Sequence, residues 1–232
     1  MKSTFTIFAL LTFALLSYGL YQGLVVAPQE ATMKDVQRIF YYHVPSAWTA
    51  FLCFFANFVA SIWYLAGRNP KADAIALSTA EVGVVFCTIV LVTGPIWAKP
   101  IWGIWWTWDA RLTSTLVLWL IYVSYLLLRR YSTAGQNPVL ASVLAIFGAV
   151  DVIFVYMAIR WFRTQHPQPV VGGGAGSGLD PRMMHALLIN WAGFLAFALL
   201  IIWLRYRLER LRQQLEEAHA MKAIAGAARG AR

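Results

Sequence analysis

Residues 77–111 read L-S-T-A-E-V-G-V-V-F-C-T-I-V-L-V-T-G-P-I-W-A-K-P-I-W-G-I-W-W-T-W-D-A-R. From Leu77 to Trp97 the run is apolar except for Glu81, and roughly 20 such residues are what a helix needs to cross the hydrocarbon of a bilayer. Immediately beyond it, Trp102, Trp105, Trp106 and Trp108 crowd one short segment closed by Asp109 and Arg111. The fold and the chemistry of this chain both follow from that junction of a membrane span with a tryptophan-rich loop.

Working outward, five more segments have the same character, which gives spans near Phe5–Val26, Trp48–Leu65, Leu77–Trp97, Leu112–Leu128, Val139–Ile159 and Ala186–Leu204. Across the 232 residues, 60% are hydrophobic and only 12% charged, a balance that excludes an ordinary soluble domain. The expected architecture is an all-α integral membrane protein, a six-transmembrane-helix bundle over residues 1–204 with a basic tail at 205–232. Val25-Val26-Ala27 imitates a signal-peptide cleavage site, but the apolar run before it exceeds the roughly 7 to 15 residues of a signal core, so the first span reads as retained.

The net charge of +9 would point to nucleic acid in a soluble protein; here the cations sit in short loops and a tail, as topology signals do. Placing both termini in the cytoplasm puts twelve of the 19 Lys and Arg inside, among them Lys2, Arg68, Lys71, Arg129, Arg130 and those of the tail. The segments Ala27–Ala47, Ala98–Arg111 and Arg160–His185 are then expected to face the external, periplasmic side. Cys53 and Cys87 lie in separate spans with no metal-binding or haem-attachment spacing, so they read as small buried hydrophobes.

Two histidines share the outer side with the tryptophans. His43 stands in R-I-F-Y-Y-H-V-P-S-A-W, residues 38–48, where Pro45 suits the first turn of a helix and Ser46 a cap; His166 follows the fifth span in R-W-F-R-T-Q-H-P, residues 160–167. A neutral imidazole offers a lone pair to a metal, and two from different loops can ligate haem iron on opposite faces while indoles pack on the porphyrin. Arg38, Lys99, Arg111 and Arg163 are candidate partners for the propionates.

Plainer readings stand beside these. A rim histidine is often only hydrogen-bonded, and an aromatic belt accounts for Trp48, Trp63, Trp97, Trp119, Trp161, Trp191 and Trp203. His185 can cap the last helix, and His219 falls in the solvated tail. Asp151, midway along the fifth span, is open to a proton or ion role or to a protonated acid between helices, while Glu81 lies nearer the cytoplasmic end of the third span. The glycines within 170–178 match no phosphate-loop pattern and read as a flexible piece of loop. Leu204, Leu208, Leu211 and Leu215 form one stripe, so the last span is expected to continue as an amphipathic helix facing a partner, anionic lipid or solvent.

The motif W-G-x-W-W-x-W-D-A-R-L-T-S at Trp102–Ser114, with H-V-P-x-A at His43 and T-x-H ending at His166, resembles the WWD haem-handling proteins of cytochrome c biogenesis. With six spans it is similar specifically to the cytochrome c maturation protein C family, CcmC, over roughly residues 30 to 185. The resemblance implies a protein that binds haem b at the periplasmic face and loads it onto the haem chaperone CcmE. It implies His43 and His166 as axial ligands, a haem platform of Trp102, Trp105, Trp106, Trp108 and Asp109 within the loop 98–111, and as partners the small subunit CcmD and the ABC-type CcmA/CcmB pair. Asp109 is expected to fix its loop rather than touch iron, and Arg38 and Arg111 to hold the cofactor's edge. The chain departs from the family pattern at Asp151 and in the Pro167-Gln168-Pro169 run.

Binding and transfer, rather than catalysis, is the expected activity. Two rivals are a cytochrome c haem lyase of the larger WWD branch, which carries further buried histidines, and a transporter working through Asp151 and Glu81.

Overall fold

Each apolar segment forms one long helix in the computed structural model, which describes residues 2–131, 137–171 and 178–230. Helix α1 spans Lys2–Tyr21 and widens into a π-type turn at Gln22–Val26; α2 spans Phe40–Gly67, α3 Pro70–Trp102, α4 Ala110–Tyr131, α5 Asn137–Trp161 and α6 Pro181–Gly230. All six are long and apolar enough to cross a membrane, and no strand occurs among the described residues. The protein is an all-α, multi-pass membrane protein. The glycine segment lies largely at 172–177, outside the described residues.

Two helices extend further than the sequence pattern indicates. A 3₁₀ turn at Asp35–Ile39 runs directly into α2, so Pro45 lies inside the helix instead of in its first turn. Ser46 is not a cap: its hydroxyl donates to the Tyr42 carbonyl at 2.7 Å, one turn back. Likewise α3 carries on through Pro95 and Pro100 to Trp102, which shortens the tryptophan loop to residues 103–109. Helix keeps backbone groups paired within the segment, which is why it continues up to the rim where an open loop would leave them bare. Gly103 ends α3 in the left-handed region, φ 75°, with its N–H on the Lys99 carbonyl at 3.0 Å.

The α2–α3 hairpin turns at Arg68 and Asn69. Arg68 is left-handed (φ 50°), Asn69 accepts the Lys71 N–H at 2.9 Å as the cap of α3, and Pro70 fills the first helical position, where no donor is needed.

At the bundle centre Phe54 of α2 and Tyr122 of α4 stack at 3.8 Å between centroids, 12° from parallel. Gly83 of α3 lies under Phe54, where a Cβ would come within 2.5 Å of Cε1, and Gly148 of α5 lies under Tyr122, where a Cβ would come within 2.8 Å of Cε2. Missing side chains at these two positions let α3 and α5 each close on one ring of the pair, the device by which membrane helices approach closely. Helix α1 is held to α6 by Asn190, whose amide donates to the Gly19 carbonyl at 2.9 Å.

Charges concentrate at the end opposite the tryptophan loop. Arg129 of α4 makes a two-pronged ion pair with Asp73 of α3, and Gln213 of α6 donates to the same carboxylate at 3.2 Å. Arg205 of α6 is similarly forked onto Glu81 of α3, at 2.6 and 2.5 Å. Beyond these ties α6 runs on with Leu208, Leu211 and Leu215 exposed.

Candidate functional site

The first turns of α2 carry His43 against α3. Its Nδ1 lies 2.8 Å from the Thr93 hydroxyl, and its ring meets Trp97 edge to face at 5.8 Å between centroids. Gly94 of α3 faces the same ring, where a Cβ would stand 3.5 Å from His43 Cε1, an ordinary contact distance. His43 is buried by this cradle.

His166 arrives from the segment after α5. Its Nδ1 faces the Pro167 carbonyl at 2.9 Å, and a carbonyl only accepts, so Nδ1 holds the proton and Nε2 is bare. Burial, with Arg111's positive charge adding to it, pushes this imidazole down to about 4, against the weaker upward pull of the Pro167 carbonyl. It is therefore a neutral, lone-pair-bearing ring at neutral pH.

One cavity has both imidazoles in its wall, with Trp97, Trp102, Trp106 and Arg111 beside them. Its deeper wall is apolar, from Ala47, Phe51, Val90 and Leu91. The Trp106 Nε1–H is buried without an acceptor among the described residues, an orphan donor at this cavity. No three His, Cys, Asp or Glu side chains converge among the described residues, so a bare metal ion has no protein cage. Two imidazoles, apolar walls with indoles among them and a guanidinium suit instead a planar metal chelate with an acidic edge. The volume, about 170 Å³, is below the roughly 300–1,000 Å³ of pockets that enclose small molecules, so a ligand of porphyrin size is held in part and exposed in part.

Asp109 organises this site without lining it. One carboxylate oxygen accepts the N–H groups of Arg111 and Leu112, each at 3.0 Å, and so starts α4; the other accepts from the Thr107 hydroxyl at 3.1 Å and from the Gln165 N–H at 3.3 Å. Burial works to raise this carboxyl, but the bonds from Leu112, Thr164, Thr107 and Gln165 outweigh it and hold it below the usual carboxylate range.

Residues 1–221 match the family model CcmC, Heme exporter protein C. This chain belongs to the CcmC family. The CcmC-family chain is 34% identical to the Heme exporter protein C of Bradyrhizobium diazoefficiens, over 91% of its own length and 81% of the relative's. With the Haemophilus influenzae protein of that name it shares 30% identity over 94% and 89%, and with the Escherichia coli one 31% over 86% and 80%.

Within this CcmC-family fold not every expected residue meets the cavity. Trp105 and Trp108 turn outward, 57% and 77% exposed, Lys99 holding the first by its ammonium 6.0 Å from the ring. Arg38 lies outside the lining, its guanidinium on the Gly23 and Ala27 carbonyls at 2.9 and 3.3 Å and on Asp35. Lys99 also donates to the Gly103 carbonyl at 2.8 Å, and Arg163 is exposed. His185 packs on Tyr18 away from the cavity, and His219 is exposed on α6. Trp97, read from the sequence as a belt residue, is instead cavity wall, and Thr93 and Gly94 carried no sequence signal at all. Asp151 lies in a separate hollow between α4 and α5 with Thr113, Trp108 and Phe162, one of its oxygens and the Thr113 hydroxyl buried without partners among the described residues. Glu81 is spoken for by Arg205.

Proposed function

We propose that this protein binds haem b at the periplasmic face of the bacterial inner membrane, both termini being cytoplasmic, and delivers it to the haem chaperone CcmE during cytochrome c biogenesis. The observation that carries the proposal is the shared cavity: His43 from the second helix and His166 from beyond the fifth reach one space walled by indoles. Family membership supplies the haem-handling context, and its relatives' name is that of a haem exporter.

In this reading His43 and His166 would hold the iron through Nε2, and Trp97, Trp102 and Trp106 would supply the apolar wall for the macrocycle. Arg111 and the orphan Trp106 N–H receive the propionate edge. Haem supplies the redox-active iron and the vinyl groups; the chain positions it and leaves part of it uncovered, so that a chaperone can reach the exposed edge. Trp105 and Trp108, lying outward, are the surface that chaperone meets first. The small membrane subunit CcmD, the ABC-type CcmA/CcmB complex and membrane lipid are the remaining partners, and residues 205–232 are the cytoplasmic basic tail through which contact with CcmA/CcmB is made. The role is binding and transfer, without a bond-making step of the chain's own.

The test is spectral. Purified protein is expected to show a six-coordinate bis-histidine haem spectrum, and the His43→Ala, His166→Ala double variant to lose it; haem content unchanged in that variant overturns the assignment.

A further inference from the structure

We infer that Thr93 is a positioning residue that fixes the tautomer and the aim of His43, so that the imidazole offers Nε2 to the cavity. The inference rests on the haem-site reading above and adds to it the group behind the ligand. The Thr93 hydroxyl has one hydrogen and two lone pairs. Its oxygen is 2.7 Å from the Ile89 carbonyl one turn back and 2.8 Å from His43 Nδ1. A carbonyl can only accept, so the hydroxyl hydrogen goes to Ile89 and the oxygen accepts from Nδ1–H of His43. Nε2 is then the bare nitrogen.

The same outcome is reached at His166 by different means. There the Pro167 carbonyl takes the Nδ1–H. Both imidazoles thus have Nδ1 protonated and held by an oxygen, the arrangement in which an outer partner orients a metal-ligating histidine and makes it a better donor. At His43 the ring is further held by packing, since Trp97, one turn beyond Thr93 on the same face of α3, meets it edge to face. With 9% of His43 exposed, little room is left for water to replace the hydroxyl.

Thr93→Val keeps the shape and removes the acceptor; Thr93→Ser keeps the acceptor. In full-length protein purified in detergent, Thr93→Val is expected to weaken haem binding by about 10- to 100-fold. The ferric/ferrous midpoint should move to more positive potential, because an imidazole without an acceptor on Nδ1–H gives less electron density to iron. Thr93→Ser is expected to restore both. Wild-type affinity and potential in Thr93→Val overturn the inference, and so does an equal loss in Thr93→Ser, which would assign the effect to packing. A measurement on the haem-free wild type does not depend on any variant at this position: ¹⁵N shifts of the His43 ring, assigned by their loss in His43→Gln, should show Nδ1 protonated and Nε2 bare, and the reverse pattern overturns the inference. Failure of the site reading is distinct, for then His43→Gln itself leaves haem binding intact.

Discussion

The Asp109 carboxylate accepts the backbone N–H of Gln165 at 3.3 Å, and so ties the start of α4 to the loop that carries His166. The same side chain caps α4 through the N–H groups of Arg111 and Leu112. Asp109→Ala is therefore expected to cost roughly 1–2 kcal/mol as a lost cap and to lower the haem content of purified protein. Whatever haem remains should keep its bis-histidine absorption bands, because Asp109 orients the loop and does not touch iron. A change of axial ligation in the residual spectrum would contradict this division of roles.

Acidification separates the two groups. His166 is pushed down to about 4, first by burial and then by the charge of Arg111, so it stays neutral where a free imidazole, near 6.5, is half protonated. Because its folded value lies below the unfolded one, folding loses stability as pH falls from about 6.5 toward 4, while the lone pair itself survives to the lower limit. The Asp109 carboxyl is also held low, so its contribution is present above its unfolded value and fades only in stronger acid. Haem retention, with iron competing for the same nitrogen, is thus expected to stay level from pH 8 down to at least about 4. A retention curve with its midpoint at 6.5 would mean a solvated His166.

Among the described glycines, Gly83 is the one where a side chain would meet its neighbour most closely. A Cβ would lie 2.5 Å from Phe54 Cε1, and Phe54 cannot retreat because it is stacked on Tyr122, itself backed by Gly148. Gly83→Ala is expected to destabilise the bundle by about 1–3 kcal/mol as overpacking does. Thermal unfolding in detergent measures it, and an unchanged midpoint would show that the stack yields.

The contrast between Gly83 and the histidines shows what a sequence of this type discloses. Spans are legible because a bilayer imposes length and apolarity on each helix separately. His43 and His166 stand out because they are rare, polar and placed at span ends, and the tryptophan loop because four indoles in so few residues exceed any belt. Gly83, Gly148, Thr93 and Trp97 carry no such mark. Their roles depend on which face of α3 or α5 meets which neighbour, and in a uniformly apolar helix no polar stripe reveals that face. The setting of Arg38 is opaque for a related reason: its charge is plain in sequence, but the Gly23 and Ala27 carbonyls that engage it become available only once α1 ends in its π-type turn.

The Asp73–Arg129 pair lies at the other end of the molecule from the cavity and gives the converse test. Both side chains are about nine-tenths buried, and Glu209 and Gln213 of α6 lean on them. Removing one partner strands the other charge, which in such settings costs about 3–5 kcal/mol. Arg129→Ala should therefore sharply lower the unfolding midpoint, since Asp73 and Glu209 would then face each other without the cation between them. Replacing both, as Asp73→Asn with Arg129→Gln, removes the stranded charge on Asp73 and should recover most of that loss. Haem spectra of the folded fraction should be unchanged in both variants, because the pair shares no side chain with the cavity. A loss below about 1 kcal/mol for Arg129→Ala, the level of a solvent-screened pair, would show that water reaches this end of the bundle freely.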